Sequence, residues 1–222
     1  MAKKKQITAA TLEGWRKQLE RLTDAFVQLA HDDAVFEQTM AVWDANAALR
    51  SVGGPFHLWM QRCYSRSQAI GLRALFDGNK RSTSLRQLLR EMQEHAFDKP
   101  AWDVHVFPRD LTRTGIQEDR ERIEGAARQL KEWVDMCIAH TSKAEPPAPP
   151  SWHELRGALR LAEDLIKKYH MALNRNHLHS IVAGWIGPPW QGVYRQPWLH
   201  PGEVLPSFIS LREVSPLAED ET

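Results

Sequence analysis

Residues 130–143 read Leu-Lys-Glu-Trp-Val-Asp-Met-Cys-Ile-Ala-His-Thr-Ser-Lys, and in this stretch a long amphipathic helix comes to its end. Apolar residues recur upstream of it at helical spacing, which predicts a helix over about residues 117–140. Residues 144–150, Ala-Glu-Pro-Pro-Ala-Pro-Pro, predict a stiff extended spacer. Ser151 and Glu154 then form a capping box that begins another helix. The inward-facing residues predicted for the helix before the spacer are Ile123, Ala127, Leu130, Val134 and Cys137.

The same periodicity predicts four earlier helices. The first covers about 9–30, the second about 33–50, the third about 56–77, and a short fourth begins at Ser84 with Gln87 placed for a capping box. Residues 95–115 hold prolines and a glycine and are predicted to form a loop. Tryptophans on the apolar stripes are expected in the core, namely Trp15, Trp43, Trp59, Trp133 and Trp152.

The third predicted helix carries two different faces. Arginines recur on one of them at spacings of four and seven, at Arg62, Arg66 and Arg73. The other face is apolar and is expected to point inward. Its members are Phe56, Trp59, Cys63, Ile70 and Ala74.

The predicted fold is all-α, an antiparallel bundle of five to six helices with an irregular C-terminal tail rich in aromatic residues and proline. We expect residues 1–178 to form the bundle and residues 179–222 to form an extension that packs on the bundle or on a partner. The tail is too aromatic for a freely disordered segment.

Composition excludes several classes of protein. Net charge is +1, so no global electrostatic field favours nucleic acid or a membrane surface. No apolar run is long enough to span a bilayer, and no signal peptide is visible. Cys63 and Cys137 lie in apolar patterns and are expected to be buried thiols in a reducing compartment, which predicts a cytoplasmic protein. The cysteines and histidines form no zinc pattern, and no cofactor or metal is predicted.

Several motifs occur in the order in which they occur in the HEPN superfamily. Arg66 and Arg73 begin the pattern Arg-x6-Arg-x3-Asp, and Ser-Leu-Arg-Gln-Leu-Leu follows at 84–89. Ile138-Ala139-His140 comes next, then the proline-containing gap and a final helix that ends Lys-Lys-Tyr-His at 167–170. Over roughly residues 30–173 the chain resembles this superfamily, and more narrowly its abortive-infection branch.

The resemblance implies a dimeric helical bundle that acts as a metal-independent endoribonuclease in phage defence or toxin–antitoxin function. Its motif pairs an arginine, which holds the scissile phosphate, with a histidine that transfers a proton. Here His140 and Asp135 match a family pattern such as Arg-Asp-x-x-Ile-Ala-His, whereas Val134 stands in the place of the arginine. The predicted site is therefore His140 and Asp135, with Arg66 or Arg73 as a substitute phosphate contact.

Three interpretations stay open at this point. The chain could be an RNase, a non-catalytic helical module that binds protein or RNA, or a structural domain in which His140 only caps a helix end. The partners expected from the resemblance are RNA, a protein partner or antitoxin, and a second copy of the chain; no membrane partner is expected.

Overall fold

The computed structural model describes residues 8–52, 54–95, 111–136 and 148–174. These ranges hold α-helices and no strand, which confirms the all-α prediction for this part of the chain. The predicted tail, and the predicted boundary between residues 178 and 179, lie outside it. The helices are α1 (Ala9–Ala45), α2 (Ala47–Val52), α3 (Gly54–Leu75), α4 (Leu85–His95), α5 (Arg113–Val134) and α6 (Trp152–Asn174).

α1 is one continuous helix of 37 residues, where two helices were predicted. That prediction was wrong because no glycine or proline occurs between Trp15 and Val52, so nothing in the sequence ends the helix near residue 31. The side chain of Thr8 caps the helix by accepting a hydrogen bond from the Thr11 amide at 3.1 Å. The buried residues of α1 are Trp15, Leu19, Leu22, Phe26, Leu29, Ala30, Phe36, Thr39 and Trp43.

α1 and α6 pack antiparallel, as their side-chain contacts at both ends show. The Arg16 guanidinium, near the start of α1, donates from Nε and Nη2 to the carbonyl of Leu173 at 3.1 and 3.0 Å, near the end of α6. At the other end, Arg156 Nε lies 3.3 Å from Asp33 Oδ1. The predicted antiparallel arrangement is therefore present in this helix pair.

α3 also runs antiparallel to α1 and lies close against it. The Tyr64 hydroxyl donates to the Asp33 carboxylate, and the buried Gln68 amide donates to the Leu29 carbonyl at 2.9 Å. Gly71 allows the close approach, since a Cβ at this position would lie only 2.3 Å from Leu29 Cδ2. Polar side chains of α3 therefore find their partners on α1, which makes burial of Tyr64 and Gln68 favourable.

α3 turns a different face to the core from the one predicted. Its buried residues are Tyr64, Gln68, Ala69, Leu72 and Leu75. The expected inward residues Phe56, Trp59 and Ile70 are instead 43%, 58% and 45% exposed, and Cys63 is also exposed. Trp152 is 41% exposed as well. The prediction of a buried Cys63, Trp59 and Trp152 was wrong, and Cys137 lies outside the described residues.

α4 and α5 form a second antiparallel pair beside α1 and α3. Near the end of α4, Gln93 Nε2 donates to Gln117 Oε1 at 2.8 Å. Near the start of α4, Arg86 pairs with Glu124. Ser84 caps α4 by accepting from the Gln87 amide at 3.1 Å. The core between the helices is filled by large, fully buried side chains, among them Phe26, Phe76, Leu85, Leu88, Met92, Ile116, Ile123 and Tyr169.

A buried carboxylate joins α5 to α6. Asp119 is 3% exposed, and its Oδ2 accepts from the Tyr169 hydroxyl at 2.8 Å and from Lys168 Nζ at 2.5 Å. Arg122 Nη1 lies 3.4 Å from the other carboxylate oxygen. Burial, reinforced by the nearby Asp119 charge, raises the pKa of the Tyr169 hydroxyl above its ordinary 10.0, so it remains a donor.

α6 begins where the sequence predicts. The Ser151 amide donates to Glu154 Oε2 at 2.7 Å, and the Glu154 amide donates to Ser151 Oγ at 3.2 Å, which confirms the capping box. No helix in the described ranges is long and apolar enough to cross a membrane.

His170 is buried beside α1, and its burial predicts that the folded protein loses stability in mild acid. Its ring nitrogens lie 2.7 Å from Thr23 Oγ1 and 3.0 Å from Asn174 Nδ2. Burial lowers the pKa of this imidazole below the ordinary 6.5, against a smaller opposing effect of Glu20. The unfolded chain therefore takes up a proton more readily than the folded protein does. We expect the His170 contribution to stability to be complete above about pH 6.5 and to be lost as the pH falls further.

Thermal unfolding of the wild type and of His170→Gln at about pH 7.5 and pH 5.5 measures this contribution. The wild type is expected to lose more stability than the variant between the two conditions. His153→Gln, at an exposed position of α6, is the matched control. An identical pH dependence in the wild type and in His170→Gln would refute the prediction.

Candidate functional site

α5 supplies one wall of the candidate site. It begins at Arg113 and not near residue 117, because Thr112 caps it by accepting from the Gly115 amide at 3.0 Å. Its apolar stripe faces the core, which leaves Arg128, Lys131 and Asp135 on a different side of the helix. The backbone continues past Val134 as a wider π turn over residues 135–136.

Asp135 and Arg73, two of the predicted site residues, are in direct contact. Arg73 Nη2 lies 2.7 Å from Asp135 Oδ1, and Lys131 Nζ lies 3.1 Å from Asp135 Oδ2. Burial opposes ionisation of Asp135, but the hydrogen bond from Lys131 and the charges of Arg73 and Lys131 outweigh it and lower the pKa of the carboxyl below 3.8. The carboxylate is therefore ionised at neutral pH and fixes the position of the Arg73 guanidinium.

A cleft of about 460 Å³ opens beside this ion pair, between the end of α3, the start of α4 and the last turns of α5. Four cationic and two acidic side chains line it. The cationic residues are Arg73, Arg86, Arg128 and Lys131, and the acidic residues are Asp77 and Glu124. With Asp135 counted at the edge of the cleft, the four cationic side chains still outnumber the three acidic ones, and this balance favours an anion.

Two cations of the cleft have unused hydrogen-bonding capacity. Arg86 is paired with Glu124, but Arg128 has no ion-pair partner in the described part of the chain. Arg73 Nε is buried and has no acceptor among the described residues. A buried donor without an acceptor is costly, and the exposed Arg128 guanidinium can pair with an anionic oxygen in the cleft.

Val134 occupies a core position and not the wall of the cleft. Its side chain is 5% exposed and belongs to the same apolar cluster as Leu130 and Trp133. The place where the family pattern has an arginine is therefore filled by a side chain that packs between helices. In this chain the nearest cationic groups to Asp135 are Arg73, from α3, and Lys131, one turn earlier on α5.

Arg66, the other substitute proposed from the sequence, lines a different groove. This second groove, of about 650 Å³, lies between the first half of α3 and the start of α6. Arg62, Trp133 and Trp152 line it together with Arg66. The structure thus brings Arg73 to Asp135 and places Arg66 elsewhere, while His140 lies outside the described residues.

Sequence reasoning did not identify three further cations of the cleft. Two of them, Arg128 and Lys131, recur with the predicted Asp135 at spacings of three and four and share one face of α5 with it, and this signal was available. Arg86 gave no such signal, because only the packing of α4 on α5 brings it to the cleft.

Comparison with known proteins places the chain in a family. The family model HEPN AbiU2, described as AbiU2, matches residues 14–183, well over half of the chain. No curated protein and no solved structure matches the chain significantly. The match confirms the resemblance to abortive-infection HEPN proteins that the order of the sequence motifs predicted.

Proposed function

This chain belongs to the AbiU2 family of abortive-infection HEPN proteins, and from that premise we propose that it binds RNA in the cleft between α3 and α5 and cleaves it there. The observation that carries the proposal is the 2.7 Å contact between Arg73 and Asp135, beside a cleft with more cationic than acidic walls. Arg73 then takes the role of phosphate contact that the arginine absent at position 134 has in the family pattern.

The chemistry proposed for this site divides between two arginines and a histidine. Arg73, oriented by Asp135, and Arg128 would hold the non-bridging oxygens of the scissile phosphate and stabilise the charge that develops on them. The His140 imidazole would accept the proton of the ribose 2′-hydroxyl while its oxygen attacks phosphorus. The P–O5′ bond breaks as the bond from the 2′-oxygen forms, and the 5′-oxygen takes a proton from water, so the products are a 2′,3′-cyclic phosphate and a 5′-hydroxyl end.

The order along the sequence supports this division of roles. His140 lies five residues after Asp135, and the Asp135 carboxylate stands at the edge of the cleft. No metal ion is needed in this scheme, since the proton transfers and the charge stabilisation both come from side chains. A second copy of the chain is part of the proposal, because paired motifs in a composite cleft would let one long RNA contact both subunits.

Cleavage and binding assays with single-stranded RNA test the proposal. We expect Arg73→Ala to weaken RNA binding and cleavage by about tenfold to a hundredfold, as expected for loss of one charged stabiliser. His140→Ala is expected to abolish cleavage and to leave binding nearly unchanged, and to relieve any growth inhibition caused by expression of the wild type. Arg21→Ala and His153→Ala, both at exposed positions away from the cleft, are the matched controls.

Two results would contradict separate parts of this proposal. RNA binding by Arg73→Ala equal to that of the wild type would remove the cleft as the binding site. Equal growth and no cleavage for both the wild type and His140→Ala would remove the nuclease.

A non-catalytic module that binds RNA or protein is the second candidate function. It is favoured by one observation, the burial of Val134 where the family pattern has its arginine. RNA binding that depends on Arg73, without any cleavage, would be the result that identifies it.

A further inference from the structure

The outward face of α3 is apolar although nothing in the described part of the chain covers it. Phe56, Trp59 and Ile70 are 43%, 58% and 45% exposed, and Cys63 is exposed between them. These positions follow spacings of three, four and seven, so they form one stripe along the helix. We call this stripe the α3 face.

The apolar surface continues beyond the α3 face into the second groove. The rings of Phe56 and Trp59 stack with centroids 5.7 Å apart. Leu58, which is 51% exposed, and Trp152 line the neighbouring groove. The exposed apolar area is on the order of 400 Å², which is comparable to the largest patch on a typical monomer, and such patches are often functional.

The charged side chains that α3 itself contributes to this surface have a single sign. α3 contains no aspartate or glutamate, and its exposed Arg62 and Arg66 lie along the border between the α3 face and the second groove. Neither guanidinium has an ion-pair partner among the described residues. A ligand for this surface therefore has to bring apolar side chains and negative charge together.

We propose that the α3 face, flanked by Arg62 and Arg66, docks an amphipathic helix of a partner protein whose apolar stripe is bordered by acidic residues. A helix matches the stripe because apolar anchors on a helix recur at the same spacings of three and four. Its glutamate or aspartate side chains would pair with the two unpaired arginines. This interaction does not depend on RNA cleavage.

Two other occupants match this surface less well. A second copy of the chain that paired its α3 face with this one would bring Arg62 and Arg66 close to their own equivalents, and like charges repel. A single-stranded RNA would be attracted by the two arginines and could stack bases on Phe56 and Trp59, but Leu58, Cys63 and Ile70 offer no ring for stacking.

A synthetic amphipathic peptide of roughly three heptads, with leucines along one stripe and glutamates on both borders, is the probe. We expect saturable binding to the full chain by fluorescence anisotropy. Binding should weaken by about tenfold or more in Trp59→Ala and in Arg66→Glu. Binding to the wild type should weaken to the same extent when lysines replace the glutamates of the peptide. Val27→Ala and Arg21→Glu, on exposed positions of α1, are expected to bind like the wild type.

Cys63 provides an independent measure of where the peptide binds. In a Cys137→Ser background, saturating peptide is expected to slow alkylation of Cys63 by about tenfold, because the thiol lies in the middle of the α3 face. Unchanged alkylation would show that the peptide binds elsewhere and would overturn the proposal.

Three further outcomes would also overturn it. The first is the absence of saturable binding of the acidic peptide. The second is a dimer, by sedimentation equilibrium, that Trp59→Ala dissociates, which would assign the face to a second copy. The third is binding of an oligouridylate that is lost in both Trp59→Ala and Arg66→Glu while peptide binding persists, which would assign the face to RNA.

Discussion

Replacement of Asp119 by alanine is expected to lower the free energy of unfolding by about 3–5 kcal/mol, the largest effect that we expect from a single substitution. Its carboxylate is 3% exposed and accepts from both Lys168 and Tyr169. Without it, the fully buried Tyr169 hydroxyl keeps its proton and has no acceptor, and a cavity forms between α5 and α6. Urea denaturation measures the change.

Two other variants make the interpretation of Asp119→Ala specific. Tyr169→Phe removes the donor as well as its need for an acceptor, so it is expected to cost only about 1 kcal/mol. Asp24→Ala, on the exposed side of α1, is the matched control and should stay within about 0.5 kcal/mol of the wild type. A loss below about 1 kcal/mol for Asp119→Ala would contradict the structure of this network.

Restoration of the family arginine by Val134→Arg is expected to destabilise the protein by about 2–4 kcal/mol and to give no gain in RNA cleavage. Val134 is 5% exposed beside Leu130 and Trp133, so a guanidinium there has to be buried without a partner or to displace the indole. The cleft would gain nothing, because position 134 faces the core and the cations of the cleft lie on another side of α5.

Denaturation and cleavage assays on the same preparations check this prediction. Glu132→Arg places the same charge at an exposed position two residues away and is expected to keep the stability of the wild type. Val134→Leu, which stays apolar, is expected to cost less than about 1.5 kcal/mol. If Val134→Arg were as stable as the wild type and cleaved RNA faster, position 134 would have to face the cleft.

The helices near the proline spacer could be predicted because their signals are local. Ser151 and Glu154 form the expected capping box, and Ile123, Leu130 and Val134 are buried on the expected stripe of α5. In both cases the determining interaction lies within the helix or follows from its own amphipathic pattern.

The orientation of α3 could not be predicted from its sequence. Two stripes compete on this helix, and the more apolar one, with Phe56 and Trp59, is outside. The stripe that is buried contains Tyr64 and Gln68, whose polar groups are satisfied by Asp33 and by the Leu29 carbonyl of α1. The periodicity of a sequence reflects only interactions along one helix. The partners of Tyr64 and Gln68 lie more than 30 residues away along the chain, so the periodicity gives no sign of them.

One part of the candidate site could be predicted from spacing within a helix, and another part depends on contacts between helices. Arg73 was singled out by its spacing on α3, and the structure places its Nη2 2.7 Å from Asp135 Oδ1. Nothing in the sequence distinguishes Arg73 from Arg66, since both lie on one side of the helix. The distinction arises from packing, which brings the end of α3 to the end of α5.

The unbroken α1 gives the bundle a single long axis. At 37 residues it spans about 55 Å, and α3, α4 and α6 all rest on it. Trp15 and Phe26 belong to its first half, Phe36 and Trp43 to its second, so each half supplies core side chains that the other cannot replace. A chain shortened to begin at residue 31 would leave α4 and the end of α6 without their support, and division of this protein into separately folding halves is therefore expected to fail.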